Sequence, residues 1–192
     1  MNNAQFWKHE LFRESSRFRQ AVDEEGIDRL VARRSPLIER FVFVTAYMMR
    51  KLAEAQWLTV DVKQSGWKVQ AFPCTSPPPH RRWFATSPDG NQWWQPLDQY
   101  YDLDAPKRHT LSFGQVCHSI VHHFAFDVRQ DPLRGGAELL FNSDRTKDRL
   151  FGMPLDSYLE LVLEVASDEV RWVDMDASVG RVIQRRHRPA HD

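Results

Sequence analysis

The feature that most constrains the fold of this chain is a long apolar helix in its first third. Ser35 and Pro36 mark the start of that helix, because serine is a favoured N-cap and proline is tolerated at the first helical position. From residue 36 to about residue 58, apolar side chains cover more than half of the helical circumference. A helix that is apolar on so many sides must be covered on most of them, which predicts a central element with others packed around it.

Two helices are predicted before this central one. The segment NNAQFWKHELFRESSRFRQAVDEE is rich in helix formers, has an asparagine available as N-cap and ends near Gly26. After that glycine, Ile27, Leu30 and Val31 recur at helical spacing. Together with the central helix, these segments predict an N-terminal helical hairpin.

After residue 58 the apolar pattern changes to the period of two that is typical of strands. LTVDVKQSGWKVQAF alternates around Ser65–Gly66 and predicts a hairpin, and RRWFATSPDGNQWWQ predicts another around a Ser-Pro-Asp-Gly turn. The segment between residues 96 and 109 is predicted to be a loop. Two helices, SFGQVCHSIVHHF and MPLDSYLELVLEVASD, are predicted among further strands in FAFDVRQ, ELLFNSD and EVRWVDM.

These elements predict the α+β class, with an N-terminal helical hairpin packed on an antiparallel meander or hairpin sheet and two further helices. A length of 192 residues fits one domain, which we place at residues 1–179. Residues 180–192 carry four arginines and one aspartate without apolar periodicity. We therefore expect a disordered basic tail there.

Charge and composition limit the function classes. The net charge of zero argues against a general nucleic-acid binder, so contact with nucleic acid is expected only through the basic tail. The longest apolar run, Phe41–Met49, is about half of the ~20 residues that span a bilayer, and no signal peptide is evident. Two cysteines without CxxC spacing favour a reducing cytoplasm. No phosphate-binding loop occurs, and no cofactor is expected.

A cluster of imidazoles lies in the segment CHSIVHHF. On a helix, His118 and His122 fall on the same polar face, which is the spacing by which one helix offers two ligands to a metal or two acid–base groups. Asp127 follows closely and could assist them. A zinc site needs a third protein ligand, and none is in a recognisable frame, so a polar helix face is the simpler interpretation. His123 lies at the boundary and is expected to bond to backbone, while Cys117 points to the core.

The second candidate site is the aromatic hairpin. Trp83, Trp93 and Trp94 occupy its strands, with Arg81 and Arg82 beside them. Because neighbouring strand residues point to opposite faces, both faces of the hairpin should carry large rings. Burial on both sides is one interpretation. The other is a binding surface, because exposed aromatic patches mark partners and protein hot spots favour Trp, Tyr and Arg.

Three functional hypotheses follow. The first is a non-catalytic binding or assembly module that uses the aromatic hairpin against a protein partner or a second copy of itself. An alternative is a metal-dependent or acid–base hydrolase or nuclease centred on His118 and His122. The third is a nucleic-acid accessory protein that uses Arg81, Arg82, the tryptophans and the tail.

Overall fold

The computed structural model describes residues 3–33, 36–76, 84–86, 92–94, 97–131, 135–176 and 181–186, and for 84–86, 92–94, 171–176 and 181–186 it describes the backbone alone. The described helices are α1 (Asn3–Glu25), α2 (Ile27–Ala32), α3 (Pro36–Glu54), α4 (Val60–Gln64), α5 (Phe113–Val121) and α6 (Leu155–Ser167), with a short 3₁₀ turn at Leu97–Gln99. The strands are β1 (Gly66–Pro73), β2 (Phe84–Thr86), β3 (Gln92–Trp94), β4 (Lys107–Ser112), β5 (His123–Gln130), β6 (Ala137–Ser143), β7 (Arg149–Pro154), β8 (Val170–Asp176) and β9 (Arg181–Arg186).

The centre of the fold is a five-stranded sheet in the order β4-β1-β7-β6-β5. Every neighbouring pair in it is antiparallel. Two separate two-stranded sheets are formed by β2 with β3 and by β8 with β9. An N-terminal helical region joined to an antiparallel sheet confirms the α+β class.

The helices cover one face of the sheet, and α3 lies among them as expected. It packs against α1, α2, α5 and α6. Phe18 of α1 stacks on Phe41 of α3 with ring centroids 4.3 Å apart, and the Tyr158 hydroxyl of α6 donates to the Val42 carbonyl at 2.8 Å. Alternate residues of each strand complete this core, among them Leu139 of β6.

The opposite face of the sheet is covered in part by the long connection between β1 and β4. Leu97 and Tyr101 of this connection pack on strand residues that face away from the helices. All seven residues of β6 are buried as a result. The strand residues that form this second cluster are Phe72, Phe124, Ala125, Leu140 and Leu150.

One predicted hairpin is wrong. The segment before β1 is not a strand but the short helix α4, which begins after its N-cap Thr59. The Thr59 side chain accepts from the backbone N–H of Val62, and both its N–H and its hydroxyl donate to the Asp168 carboxylate, at 2.9 and 2.7 Å. These capping contacts stabilise a helical turn that alternation alone could not indicate.

Three further differences concern segment ends. The helix that carries the histidines ends at Val121, and residue 123 already begins β5. The first three residues of β4 lie where a loop was expected. In the tail, Arg181–Arg186 forms β9 and pairs with β8, so these residues have regular structure, whereas residues 187–192 lie outside the described part. Backbone pairing satisfies N–H and C=O groups without needing apolar periodicity.

The start signal of α3 agrees with the structure, since Pro36 is its first residue, while Ser35 is not among the described residues. Among the described helices, none combines the length and the apolar character needed to cross a membrane.

The predicted pairing of the segments that became β5 and β6 is confirmed, with Asp127 opposite Leu140.

Candidate functional site

Helix α5 carries the two imidazoles and has a well-defined start. The Ser112 N–H donates to the Gln115 side chain at 2.8 Å, and the Gln115 N–H donates to the Ser112 hydroxyl at 3.3 Å, which is a capping box. Val116, Cys117 and Ile120 are buried on the core side. This anchoring turns the positions four apart, 118 and 122, away from the core.

His118 and His122 lie together at the C-terminal end of α5. Their ring centroids are 4.9 Å apart and the rings are tilted by 50°. His118 lies in the last turn and is half-buried, while His122 is the C-cap and is exposed. The predicted pairing of these side chains on one polar face is therefore present in the geometry.

Arg50 of α3 contacts this pair. A terminal guanidinium nitrogen of Arg50 is hydrogen-bonded to Nε2 of His122. A guanidinium can only donate, so Arg50 is the donor in this contact. The Nε of Arg50 donates to the Glu54 carboxylate at 2.7 Å. Arg50 thus links the imidazole pair to the last turn of α3.

The pKa of His118 is lowered from its ordinary value. Partial burial is the largest cause, because it disfavours the charged imidazolium. Positive charge on the neighbouring His122 adds to this, and Arg145 and Arg50 lower the same pKa further. The imidazole pair therefore lies in a locally positive environment to which Arg145, from the turn between β6 and β7, also contributes.

Asp127 does not join the imidazoles. Its carboxylate accepts a hydrogen bond from the backbone N–H of Val128 at 2.8 Å. The pKa of Glu39 is raised mainly by burial, and the negative charge of Asp127 raises it further. Glu39 lies in the first turn of α3, about 16 Å along the helix from Arg50. Asp127 is therefore placed near the opposite end of α3 from His118 and His122.

No group of three or more His, Cys, Asp or Glu side chains that could hold a metal ion occurs in the part of the chain that the structure describes. His123 lies after the end of the helix, and its Nδ1 is 3.1 Å from the Ile120 carbonyl oxygen, as expected for a boundary residue that bonds to backbone. Burial raises the pKa of the Cys117 thiol to about 12, which keeps it protonated and unreactive at neutral pH.

The hairpin lies inside the connection from Cys74 to Pro106. Strand β2 pairs with β3 so that Phe84 lies opposite Trp94 and Ala85 opposite Trp93. This pairing confirms the predicted hairpin. Trp93 and Trp94 are in β3, although their side chains lie outside the described atoms, and Arg81, Arg82 and Trp83 lie outside the described residues.

The base of this connection is fixed to the sheet. Cys74 forms an isolated bridge with Tyr101, and the Thr75 N–H donates to the Tyr100 carbonyl at 2.8 Å. Asn142 of β6 donates to the Tyr101 hydroxyl at 2.8 Å, and burial raises the pKa of Tyr101 to about 12. The residues just before and just after the hairpin segment are therefore bonded to each other and to the sheet.

Sequence reasoning missed Arg50 and Arg145, which lie far from the histidines along the chain. Arg50 is on the narrow polar strip of a mostly apolar helix, and that strip was the one available signal. Comparison of the chain with protein-family models, with curated proteins and with solved structures found no match.

Proposed function

We propose that this chain is a non-catalytic binding or assembly module whose contact surface is the β2–β3 hairpin. The observation that carries this proposal is the length and anchoring of the connection between β1 and β4. These strands are antiparallel neighbours, which need only a few residues between them, yet roughly thirty residues join them. Connections longer than about 12–15 residues in compact domains are usually functional or linkers.

The anchored base argues for a surface rather than a linker. Leu97 and Tyr101 are buried in the second core cluster, so the connection is held at both of its ends. A two-stranded hairpin alone is at best marginally stable in water, and it gains stability when it packs against another surface. A partner that covers the hairpin would supply that contact.

The residue types of the hairpin fit a protein partner or a second copy of this chain. Tryptophan and arginine are the residues most enriched in protein hot spots. The net charge of zero does not favour a nucleic-acid ligand. We commit to self-association as the form of this proposal that can be tested first.

Sedimentation velocity between about 1 and 100 µM tests it. Wild-type protein is expected to dimerise, and Trp93→Ser with Trp94→Ser is expected to weaken the dimer by about thirtyfold or more, as loss of hot-spot rings does. Tyr47→Ser is the matched control, because Tyr47 is an exposed aromatic residue of α3, 49% accessible, outside the hairpin. A wild-type protein that stays monomeric throughout would contradict self-association.

A second candidate function is an acid–base hydrolase at His118 and His122. The observation that favours it is the 4.9 Å separation of the two rings beside Arg50. One imidazole would act as base and the other as acid. Hydrolysis of a chromogenic phosphodiester, reduced about a hundredfold by His118→Asn, would support this function. A wild-type rate equal to that of buffer would exclude it for this substrate class.

A further inference from the structure

We propose that Arg50, His118, His122 and Arg145 form a binding site for the phosphate group of a phosphate ester. This site is separate from the hairpin, and it does not depend on the function proposed for the hairpin. Phosphate binding without turnover is also distinct from the hydrolase activity considered above.

The four side chains come from α3, from the C-terminal end of α5 and from the turn after β6, and α5 packs against both α3 and β6. Arg50 is on α3 and the imidazoles are on α5, and these helices pack together. Arg145 is on the turn between β6 and β7, where the Ser143 N–H donates to the Thr146 hydroxyl at 3.0 Å and the Thr146 N–H donates to the Ser143 carbonyl at 2.9 Å. A site built from fixed elements loses little entropy when it binds a ligand.

The charges around the site leave a positive excess. Glu54 is shared by Arg50 and Lys51, at 2.7 and 2.9 Å, so it does not neutralise the cluster by itself. The acidic residues of the β6–β7 turn pair with other cations: Asp144 with Lys147 at 3.3 Å and Asp148 with Arg149 at 2.5 Å. No carboxylate among the described residues forms an ion pair with Arg145.

The donors present match a tetrahedral oxyanion. Guanidinium groups bind phosphate oxygens through paired N–H donors, and imidazolium adds a donor from each ring. In the free protein the Arg50 guanidinium already contacts Nε2 of His122, so N–H donors of both side chains lie at one place. Burial is the main cause that lowers the pKa of His118, and neighbouring positive charges lower it further; a bound anion would offset the effect of those charges.

Binding of phosphate is therefore coupled to proton uptake, and affinity should rise as pH falls through the imidazole range of about 5 to 8. Other titratable groups on elements packed against α5 have their own contacts. Lys63 of α4 donates to the Gln56 side chain at 2.8 Å, His109 of β4 stacks on Phe151 at 5.5 Å, and His123 of β5 contacts Phe43 at 4.7 Å. His109 and His123 serve as internal controls.

NMR titration of the histidine ring resonances tests the proposal on the whole chain. Inorganic phosphate at about 20 mM, compared with chloride at equal ionic strength, is expected to shift the ring resonances of His118 and His122 and to raise the pKa of His118. His109 and His123 should respond no more than they do to chloride. Equal shifts at all four rings, or none at His118 and His122, would overturn the site.

Two arginine variants and two phosphate esters test which side chains and which ligand class the site uses. Arg145→Gln should weaken phosphate binding by about tenfold, as expected for loss of a charge-assisted hydrogen bond. The matched control is Arg149→Gln, at the first residue of β7 directly after the same turn but paired with Asp148, which should change affinity less than about twofold. Comparing the affinities for glycerol 3-phosphate and for a diribonucleotide then shows whether the site prefers a phosphate monoester or a diester. An equal loss of phosphate affinity in both arginine variants would contradict the assignment of Arg145 to the site.

Discussion

At the residue scale, Asp168 holds three helices together. Its side chain is completely buried at the end of α6, where it accepts the Thr59 N–H and hydroxyl at the start of α4. The Lys8 ammonium of α1 lies 3.6 Å from the same carboxylate. A buried carboxylate is tolerated only when hydrogen bonds and charges replace its water, and here two helices provide them.

We predict that Asp168→Ala lowers the free energy of unfolding by about 3 kcal/mol, because it removes a buried charge partner of Lys8 and the cap contacts of Thr59. For a chain of this length that corresponds to a Tm about 10 °C lower in a thermal denaturation experiment. Asp148→Ala is the control. Asp148 is exposed and pairs only at the surface, so its loss should cost less than about 0.5 kcal/mol.

Gly152 of β7 is a second residue whose identity the packing requires. A Cβ atom at this position would meet the Glu138 carboxylate and would lie 2.8 Å from a ring carbon of Phe72. Glu138 is only 2% exposed and accepts from Arg129 Nε at 2.8 Å, while the Arg129 guanidinium lies 5.1 Å from the centroid of the Phe72 ring. None of these groups can move without disturbing the others.

Gly152→Ala should therefore destabilise the protein by about 2–3 kcal/mol through overpacking, measured by urea denaturation. Gly114→Ala provides the opposite control. Gly114 lies in α5 with no atom within 4 Å of an added Cβ, so alanine there should stabilise by about 0.5–1 kcal/mol through helix propensity. A neutral Gly152→Ala would mean that Glu138 has a second position that the packing does not reveal.

The candidate residues were only partly predictable. Helical spacing placed Cys117 in the core and put His118 and His122 on one polar face, and both predictions agree with the geometry. The roles of Arg50 and Arg145 beside the imidazoles could not be predicted from the sequence, because they arise from the tertiary packing of α3 and the β6–β7 turn. A spacing rule describes one element and carries no information on which distant element packs against it.

At the element scale, the strongest local signals predicted the helices and most strands. The first-turn Pro36 marked α3, and the predicted pairing of the two strands β2 and β3 is present. Helix α4 was mistaken for a strand because five residues are too few to distinguish the two periods. The capping bond of Thr59 and its contacts with Asp168, more than a hundred residues later, decide that local conformation.

The β1–β4 connection gives an element-scale prediction. Replacement of residues 77–95 by a short Gly-Ser linker should leave Tm within about 3 °C, because the anchoring contacts of Thr75 and Tyr101 remain. The same variant should lose self-association, because it lacks the whole hairpin. Thermal denaturation and sedimentation velocity measure the two effects separately. A large loss of Tm would mean that the hairpin supports the fold rather than a partner.

At the scale of the whole molecule, the sheet has unequal faces. Helices α1, α3, α5 and α6 bury one face in a large core, while a smaller cluster on the other face depends on Leu97 and Tyr101. Alternation within β6 alone could not predict this, because its seven residues are all buried and the strand is apolar at consecutive positions. Both faces of the sheet are therefore covered by packed side chains along β6.

The C-terminal segment is expected to contribute to stability through β9. Because β9 pairs with β8 and packs against α4, deletion of residues 181–192 should lower Tm by about 5 °C or more, whereas deletion of residues 187–192 should change it by about 1 °C or less. Equal Tm values for the two truncations would mean that β9 contributes nothing to stability.

The same strand complicates any test of nucleic-acid binding by truncation, because removal of its arginines by deletion also removes the strand. Substitution of Arg181, Arg185 and Arg186 by glutamine removes three positive charges and leaves the backbone pairing with β8 in place. With a net charge of zero, the wild-type chain should elute from heparin at low salt, and this variant should elute earlier still. Strong retention that survives the three substitutions would point to nucleic-acid contact elsewhere, and Arg81 and Arg82 would be the residues to replace next.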